Sequence, residues 1–96
     1  MPYVLCTHNP GRSLADYRAV SDRLGDGPRD GCLASMAGEA DGALHTIDVW
    51  DSKAHADRFA TERLYPAMRE AGIGPGGDAT YVGFETDDVQ LTGAPT

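Results

Sequence analysis

The segment from Ala43 to Ser52 constrains the fold most, because a strand pattern in it turns directly into a helix start. Residues 43–50 are rich in β-forming side chains and end in Val49 and Trp50. Ser52 then supplies a preferred helix N-cap, since its hydroxyl can accept a hydrogen bond from a backbone N–H of the first turn. The segment therefore predicts a mixed α and β domain in which this strand leads into a helix.

The residues before this segment predict a strand, a helix and a second strand. Residues 3–8 are β-forming and precede turn residues, so we predict the first strand there. Ser13 and Asp16 have the spacing of a capping box, and the apolar side chains after them repeat with helical periodicity, which predicts a helix at 14–24. Residues 31–37 are apolar and uncharged, and predict the second strand.

The remaining connections are predicted from their turn residues. Residues 38–42 contain two Gly and one Asp and predict the hairpin loop between the second and third strands. The helix that starts at Ser52 contains Pro66, whose ring clashes with the carbonyl four residues back. We therefore predict a kink or break near residues 64–65.

The order of elements predicts the topology. The Gly-rich residues 72–77 cannot continue a helix, and residues 80–85 predict the last strand. The order βαββαβ is that of an α+β, ferredoxin-like fold, in which an antiparallel sheet carries two helices on one face. Right-handed crossovers then give the spatial strand order 4-1-3-2. Ninety-six residues allow one domain at most, so we assign 1–96 to a single domain.

The third strand carries apolar side chains on both sides, which predicts a homodimer. One side carries Leu44, Thr46, Asp48 and Trp50, and the other carries Ala43, His45, Ile47 and Val49. Because both sides are substantially apolar, both sheet faces are expected to be covered. Helices cover one face, and a second copy of the chain is the natural cover for the other.

Charge, hydrophobicity and cysteine positions limit the partners, the localisation and the disulfides that the sequence allows. The chain has 15 acidic and 8 basic residues, so nucleic acid and anionic membrane surfaces are not expected partners. The N-terminus has no signal-peptide pattern and no apolar run spans a membrane, which predicts a cytoplasmic protein. Cys6 and Cys32 fall on strands that the predicted order separates by a third, too far for a disulfide, and are predicted to be free thiols.

At this point the chain resembles the dimeric α+β barrel superfamily, which includes the antibiotic-biosynthesis monooxygenases, and is most similar to an uncharacterised branch of it. The resemblance covers nearly the whole chain. It rests on Tyr17, the Gly-started second strand, residues 49–52 leading into a helix with Phe59, residues 63–68, and the Gly-rich loop before the last strand.

The resemblance implies a sheet-to-sheet dimer with a pocket between the sheet and the helices of each subunit. Some members are cofactor-less oxygenases of polycyclic phenols, and others are isomerases, cyclases, haem-degrading enzymes or binding proteins. The superfamily's Trp at the end of the third strand often lines the pocket, and that role is carried onto Trp50. The helix histidine of monooxygenase-like members is not at the Phe59 position, because His55 comes one turn earlier.

Two residues are candidate catalysts. His8 ends the predicted first strand, where an imidazole could act as a general base, although an exposed strand-end histidine fits the same pattern. Asp48 lies mid-strand in an apolar setting, where burial would raise its pKa and suit it to acid–base work. Alternatively Asp48 forms a salt bridge with an Arg such as Arg58 or Arg63. His45 is expected at the dimer interface if the Trp50 side faces the pocket.

Four aromatic side chains are candidate substrate-binding residues: Trp50, Tyr17, Tyr65 and Phe59. A flat substrate could stack on Trp50. The histidines at 8, 45 and 55 have no metal-binding spacing, so we predict neither a metal nor an organic cofactor.

The leading hypothesis is a small-molecule enzyme that acts by acid–base chemistry, in an oxygenation, isomerisation or cyclisation, on an apolar, oxygenated, polyketide-like substrate of secondary metabolism. The alternatives are a non-catalytic binding protein for a hydrophobic metabolite, and a structural or regulatory dimer whose pocket is filled by side chains.

Overall fold

A computed structural model describes residues 1–25, 27, 29–74 and 78–90. The strands are β1 (Tyr3–Pro10), β2 (Cys32–Ala40), β3 (Ala43–Trp50) and β4 (Thr80–Glu85). The helices are α1 (Leu14–Leu24), α2 (Lys53–Phe59) and α3 (Tyr65–Ala71). A π-helical segment (Ala60–Leu64) lies between α2 and α3. The predicted loop at 72–77 is described only to Gly74, and its remaining residues lie outside the described part of the chain.

The four strands form one antiparallel sheet in the order β2-β3-β1-β4. This confirms the α+β, ferredoxin-like fold and the strand order predicted from the right-handed crossovers. Because β3 lies between β1 and β2, Cys6 and Cys32 are held two strands apart, and both are free thiols.

The register of the strands decides which side chains share a face. Leu5 of β1 pairs with Asp48 of β3, and Asp48 pairs in turn with Ser35 of β2. Directly paired residues in an antiparallel sheet point to the same side. The next row, one residue along, places Cys6 beside Ile47 on the opposite face.

The β2–β3 hairpin is tighter than predicted. The strands extend to Ala40 and Ala43, and only Asp41 and Gly42 lie between them, with φ angles of 53° and 75°. Positive φ at both central residues is the geometry of a type I′ turn, for which Asp-Gly is a preferred sequence. The predicted loop at 38–42 was wrong because its first three residues pair in the sheet.

The caps of the helices follow the sequence closely. Ser13 caps α1 through a hydrogen bond from the Asp16 backbone N–H, and the Asp16 carboxylate accepts a hydrogen bond from the Ser13 N–H. Ser52 caps α2 in the same way, accepting from the backbone N–H of His55. Both predicted helix starts are confirmed.

Of the kink or break predicted near residues 64–65, the break does not occur, because the chain stays helical past Pro66. Leu64 and Tyr65 both keep right-handed helical backbone angles, and the Tyr65 N–H donates to the Ala60 carbonyl five residues back. A π-helical turn holds one more residue than an α-helical turn. Although Pro66 has no N–H to donate, this wider turn keeps the backbone helical up to it, so α2 and α3 remain joined as one helical run.

The helices cover the face of the sheet that carries Asp48 and Trp50, and Trp50 is only 3% exposed. On the opposite face, called the uncovered face below, no described helix lies over Ile47, Val82 and Phe84, which remain 40%, 61% and 47% exposed. No helix in the described residues is long and apolar enough to cross a membrane.

Candidate functional site

A cavity of about 740 Å³ lies between the sheet and the helices. Its apolar lining includes Leu5, Val20, Leu44, Trp50, Phe59, Leu64 and Met68, and its polar lining includes Arg12, Asp16, Arg29, Ser35, Asp48 and Arg69. A pocket filled by its own side chains, one of the hypotheses from the sequence, is therefore not what the structure has. The volume is in the range of ordinary small-molecule sites.

Trp50 and Phe59 form the aromatic end of the cavity. Their ring centroids are 5.1 Å apart and the rings are tilted by 39°. Trp50 is held at the end of β3 and Phe59 at the end of α2, so the strand-to-helix segment supplies both. Such a pair offers a wide apolar surface to a flat ligand.

Asp48 is the half-buried carboxyl group of the cavity wall. The Ser35 hydroxyl on the neighbouring strand donates a hydrogen bond of 2.6 Å to its Oδ1. Burial raises the pKa of Asp48 above its ordinary value of 3.8, while the Ser35 hydrogen bond and the nearby Arg29 guanidinium oppose that rise. A carboxyl group with a raised pKa on a cavity wall is suited to act as a general acid or base.

The arginines suggested as partners of Asp48 lie elsewhere. Arg58 is 4.0 Å from Asp30, and Arg63 donates to the Leu24 carbonyl at 2.9 Å while its guanidinium lies over the Phe59 ring. The partner that the structure gives Asp48 is instead Ser35, which the sequence reasoning did not single out.

His8 lies away from the cavity, on the uncovered face of the sheet. β1 continues to Pro10, so His8 is not at the strand end as predicted. The register pairs it with His45, and the two rings have centroids 4.8 Å apart. Neither histidine lines the cavity, so the structure does not bring His8 and Asp48 together and gives His8 no place in this site.

The predicted tyrosines both reach the cavity. Tyr17 lines it from α1, and Tyr65 lines it from the start of α3 while remaining 51% exposed. Tyr65 therefore sits at the rim, although the helix break that was expected to open the pocket there does not occur. Tyr81 of β4 completes this rim.

Ser35 and Arg29 are two of the polar cavity residues that the sequence reasoning missed. Ser35 could have been found from the hairpin register, because it pairs directly with Asp48. Arg29 precedes β2 and carries no local pattern that points to a site. In the described residues no group of three or more potential metal-ligating side chains comes together.

Comparison with known proteins identifies the fold through solved structures. No family model and no curated protein matches the chain. Rv0793 from Mycobacterium tuberculosis is 15% identical, with a TM-score of 0.67 over 93% of this chain and 98% of that one. SnoaB, a cofactor-independent oxygenase from Streptomyces nogalater, is 9% identical, with a TM-score of 0.65 over 94% and 97%.

A third similar structure is a monooxygenase from the gene ActVA-Orf6 of Streptomyces coelicolor, in complex with the ligand nanaomycin D. It is 16% identical, with a TM-score of 0.61 over 95% of this chain and 92% of that one. The chain has the antibiotic biosynthesis monooxygenase fold.

Within this antibiotic biosynthesis monooxygenase fold, aromatic residues that suggested the resemblance line the cavity, whereas the histidine that departs from the pattern does not. Tyr17, Trp50 and Phe59 line the cavity. His55 does not, because its ring Nδ1 lies 2.7 Å from the Ser52 hydroxyl and its ring covers Gly31, where any side chain would overlap it. His55 thus packs the loop before β2 against the start of α2.

Proposed function

We propose that the protein is a small-molecule enzyme that needs no organic cofactor and uses Asp48 as its general acid–base. The observation that carries this proposal is the half-buried Asp48 carboxyl group on the cavity wall, held by Ser35 and with a pKa raised by burial. Perturbed carboxyl groups inside clefts are typical of acid–base sites.

The walls of the cavity support a flat, apolar, oxygenated substrate. Trp50 and Phe59 provide the stacking surface, and the cavity is large enough for a polycyclic, polyketide-like molecule. Tyr17 and Tyr65 can offer hydroxyl groups to its oxygen atoms from the helix side.

Oxygenation has the most support of the three reaction types. Two of the similar structures are described as a cofactor-independent oxygenase and a monooxygenase, the latter with bound nanaomycin D. In such a reaction Asp48 would remove a proton from the substrate, which makes the substrate electron-rich enough to react with dioxygen. Isomerisation or cyclisation would use the same proton transfer without oxygen.

A homodimer through the uncovered sheet face is part of the proposal. Met36, Ile47, Val82 and Phe84 leave a contiguous apolar surface there, on neighbouring strands. Exposed apolar patches of this kind are typical of protein–protein interfaces. Two copies packed sheet to sheet would cover it and leave both cavities on the outside.

The proposal is tested by Asp48→Asn, with Asp51→Asn as the matched control because Asp51 is exposed and does not line the cavity. Turnover of a panel of hydroxylated polycyclic ketones is followed under air by product mass. Asp48→Asn is expected to lower kcat by about 10²- to 10⁴-fold, the usual contribution of a general acid–base. Unchanged kcat in Asp48→Asn would refute the role of Asp48.

A non-catalytic binding protein for a hydrophobic metabolite is the second candidate. It is favoured by the position of His8, because the cavity has Asp48 but no histidine to share the proton transfer. Ligands of the panel would then bind without turnover, and Asp48→Asn would bind them as well as the wild type does.

A further inference from the structure

The cavity gathers positive charge in a chain that is otherwise strongly acidic. The chain has a net charge of −7, yet three of its eight basic residues line the cavity, namely Arg12, Arg29 and Arg69. Of these, Arg12 is engaged, because it lies 4.0 Å from Asp16 and donates to the Gly74 carbonyl at 2.7 Å.

Arg29 lines the cavity beside its aromatic end. Its guanidinium lies 5.5 Å from the centroid of the Phe59 ring, which fixes it above the aromatic surface. It is close enough to the Asp48 carboxyl group and the Cys32 thiol to influence both electrostatically. Within the described residues it has no salt bridge and no side-chain hydrogen bond of its own.

A second recess adjoins the cavity at Arg29. It has a volume of about 370 Å³ and includes Ser21, Cys32 and Ser35 in its lining. Ser21, Arg29 and Ser35 also line the main cavity, so these three residues form the junction between the two spaces. The junction presents the Arg29 guanidinium and the Ser21 hydroxyl, whereas the Ser35 hydroxyl is donated to Asp48 and the main cavity is mostly apolar.

We infer that this junction of Ser21, Arg29 and Ser35 is the subsite for a carboxylate on the ligand, whose flat apolar body lies in the main cavity against Trp50. The ligand class is therefore an aromatic or polycyclic carboxylic acid. A planar guanidinium whose N–H groups make no hydrogen bond to a described residue can meet a carboxylate with two parallel hydrogen bonds. The inference deepens the proposed function, since it names the substrate class of the same cavity.

Arg29 carries one positive charge, so the junction can pair with one negatively charged group of the ligand. The junction lies beside Asp48, whose burial already disfavours its charged form. A bound carboxylate would pair with Arg29 and, as a neighbouring negative charge, would raise the pKa of the Asp48 carboxyl group further, which makes its ionised form a stronger base. Arg29 would thus position the acid end of the ligand, and Asp48 would face the ring system beside it.

The test measures binding by calorimetry on the full chain, with anthraquinone-2-carboxylate and the neutral anthraquinone-2-carboxamide as matched probes. The wild type is expected to bind the carboxylate at least about tenfold more tightly, as one charge-assisted contact predicts. Arg29→Gln should abolish that preference. Arg18→Gln, an exposed change on α1 outside the cavity, should retain it.

Two results would overturn the subsite: equal affinity of the wild type for both probes, or a carboxylate preference that survives Arg29→Gln. Thermal melting checks that the variants fold, and Arg29→Lys, which keeps the charge, should restore part of the preference. The measurement requires no turnover. Loss of activity in Asp48→Asn with an intact carboxylate preference, or the reverse, therefore separates the two proposals.

Discussion

The two faces of the sheet are similar in sequence but opposite in surroundings. On the covered face, Trp50 is 3% exposed beneath the helices, and Asp48 lies in the cavity wall. On the uncovered face, Ile47, one residue from Asp48, is 40% exposed. Apolar alternation shows that a face is suited to burial, but the covering element must come from elsewhere in the fold.

The same comparison separates the titratable side chains. The carboxyl group of Asp48 is on the cavity face, whereas His8 and His45 lie together on the uncovered face. Of the two residues predicted as catalysts, Asp48 is therefore the one that lines the cavity. The histidine pair instead belongs to the surface that a second copy would cover.

The largest effect is expected from Trp50→Ala on the covered face. Removing a buried aromatic side chain from a packed core typically costs about 3–5 kcal/mol of unfolding free energy. Tyr81→Ala is the control, because Tyr81 is 57% exposed and should lose far less. Urea denaturation measures the unfolding free energy of both variants. Equal losses would mean that Trp50 contributes no more to stability than an exposed aromatic residue does.

A smaller effect, on association, is expected from Ile47→Asp on the uncovered face. A charge at the centre of an apolar interface must be desolvated without a partner, so dimer affinity should fall by at least about 100-fold. Sedimentation across a concentration range measures it, with Arg18→Asp on α1 as the control. A wild type that is monomeric at every concentration would contradict the dimer.

The smallest effect is expected from Asp48→Asn on stability. Because the pKa of Asp48 is raised in the folded state, ionisation of Asp48 destabilises the fold, and this penalty is absent below the ordinary carboxyl pKa of 3.8. It grows as the pH rises from there through the raised pKa. Asp48→Asn should therefore raise the melting temperature near neutral pH, with a gain that disappears in acid. A loss of stability at neutral pH would count against a desolvated carboxyl group.

Much of the architecture could be predicted because its signals are local. Ser13 and Ser52 cap their helices by interactions within one turn, and the alternation of β3 correctly separated Asp48 from His45. The strand order followed from the handedness of the crossovers. The cavity-facing aromatic residues followed from the resemblance, which covers nearly the whole chain.

The features that were predicted wrongly or missed depend on contacts between distant parts of the chain, or on a choice between two local backbone conformations. The side of the sheet that His8 occupies is set by the β1–β3 register, between strands far apart in the chain, and no local pattern encodes it. At Pro66 a π-helical turn competes with a break, and packing decides between them. A role for Arg29 could be inferred only from the fold, which places its guanidinium above the Phe59 ring.

The proposed function depends most on Asp48, a carboxyl group in the ligand cavity whose pKa is raised by burial. Carboxyl carbon NMR of the labelled protein, titrated with acid and base, reads its pKa directly, with exposed Asp51 and Asp57 in the same spectrum as internal references. We predict that Asp48 titrates above its ordinary value of 3.8 and that its signal shifts when a flat ligand fills the cavity. An Asp48 that titrates at or below that value, and whose signal does not shift with such ligands, would contradict a buried carboxyl group in a ligand cavity.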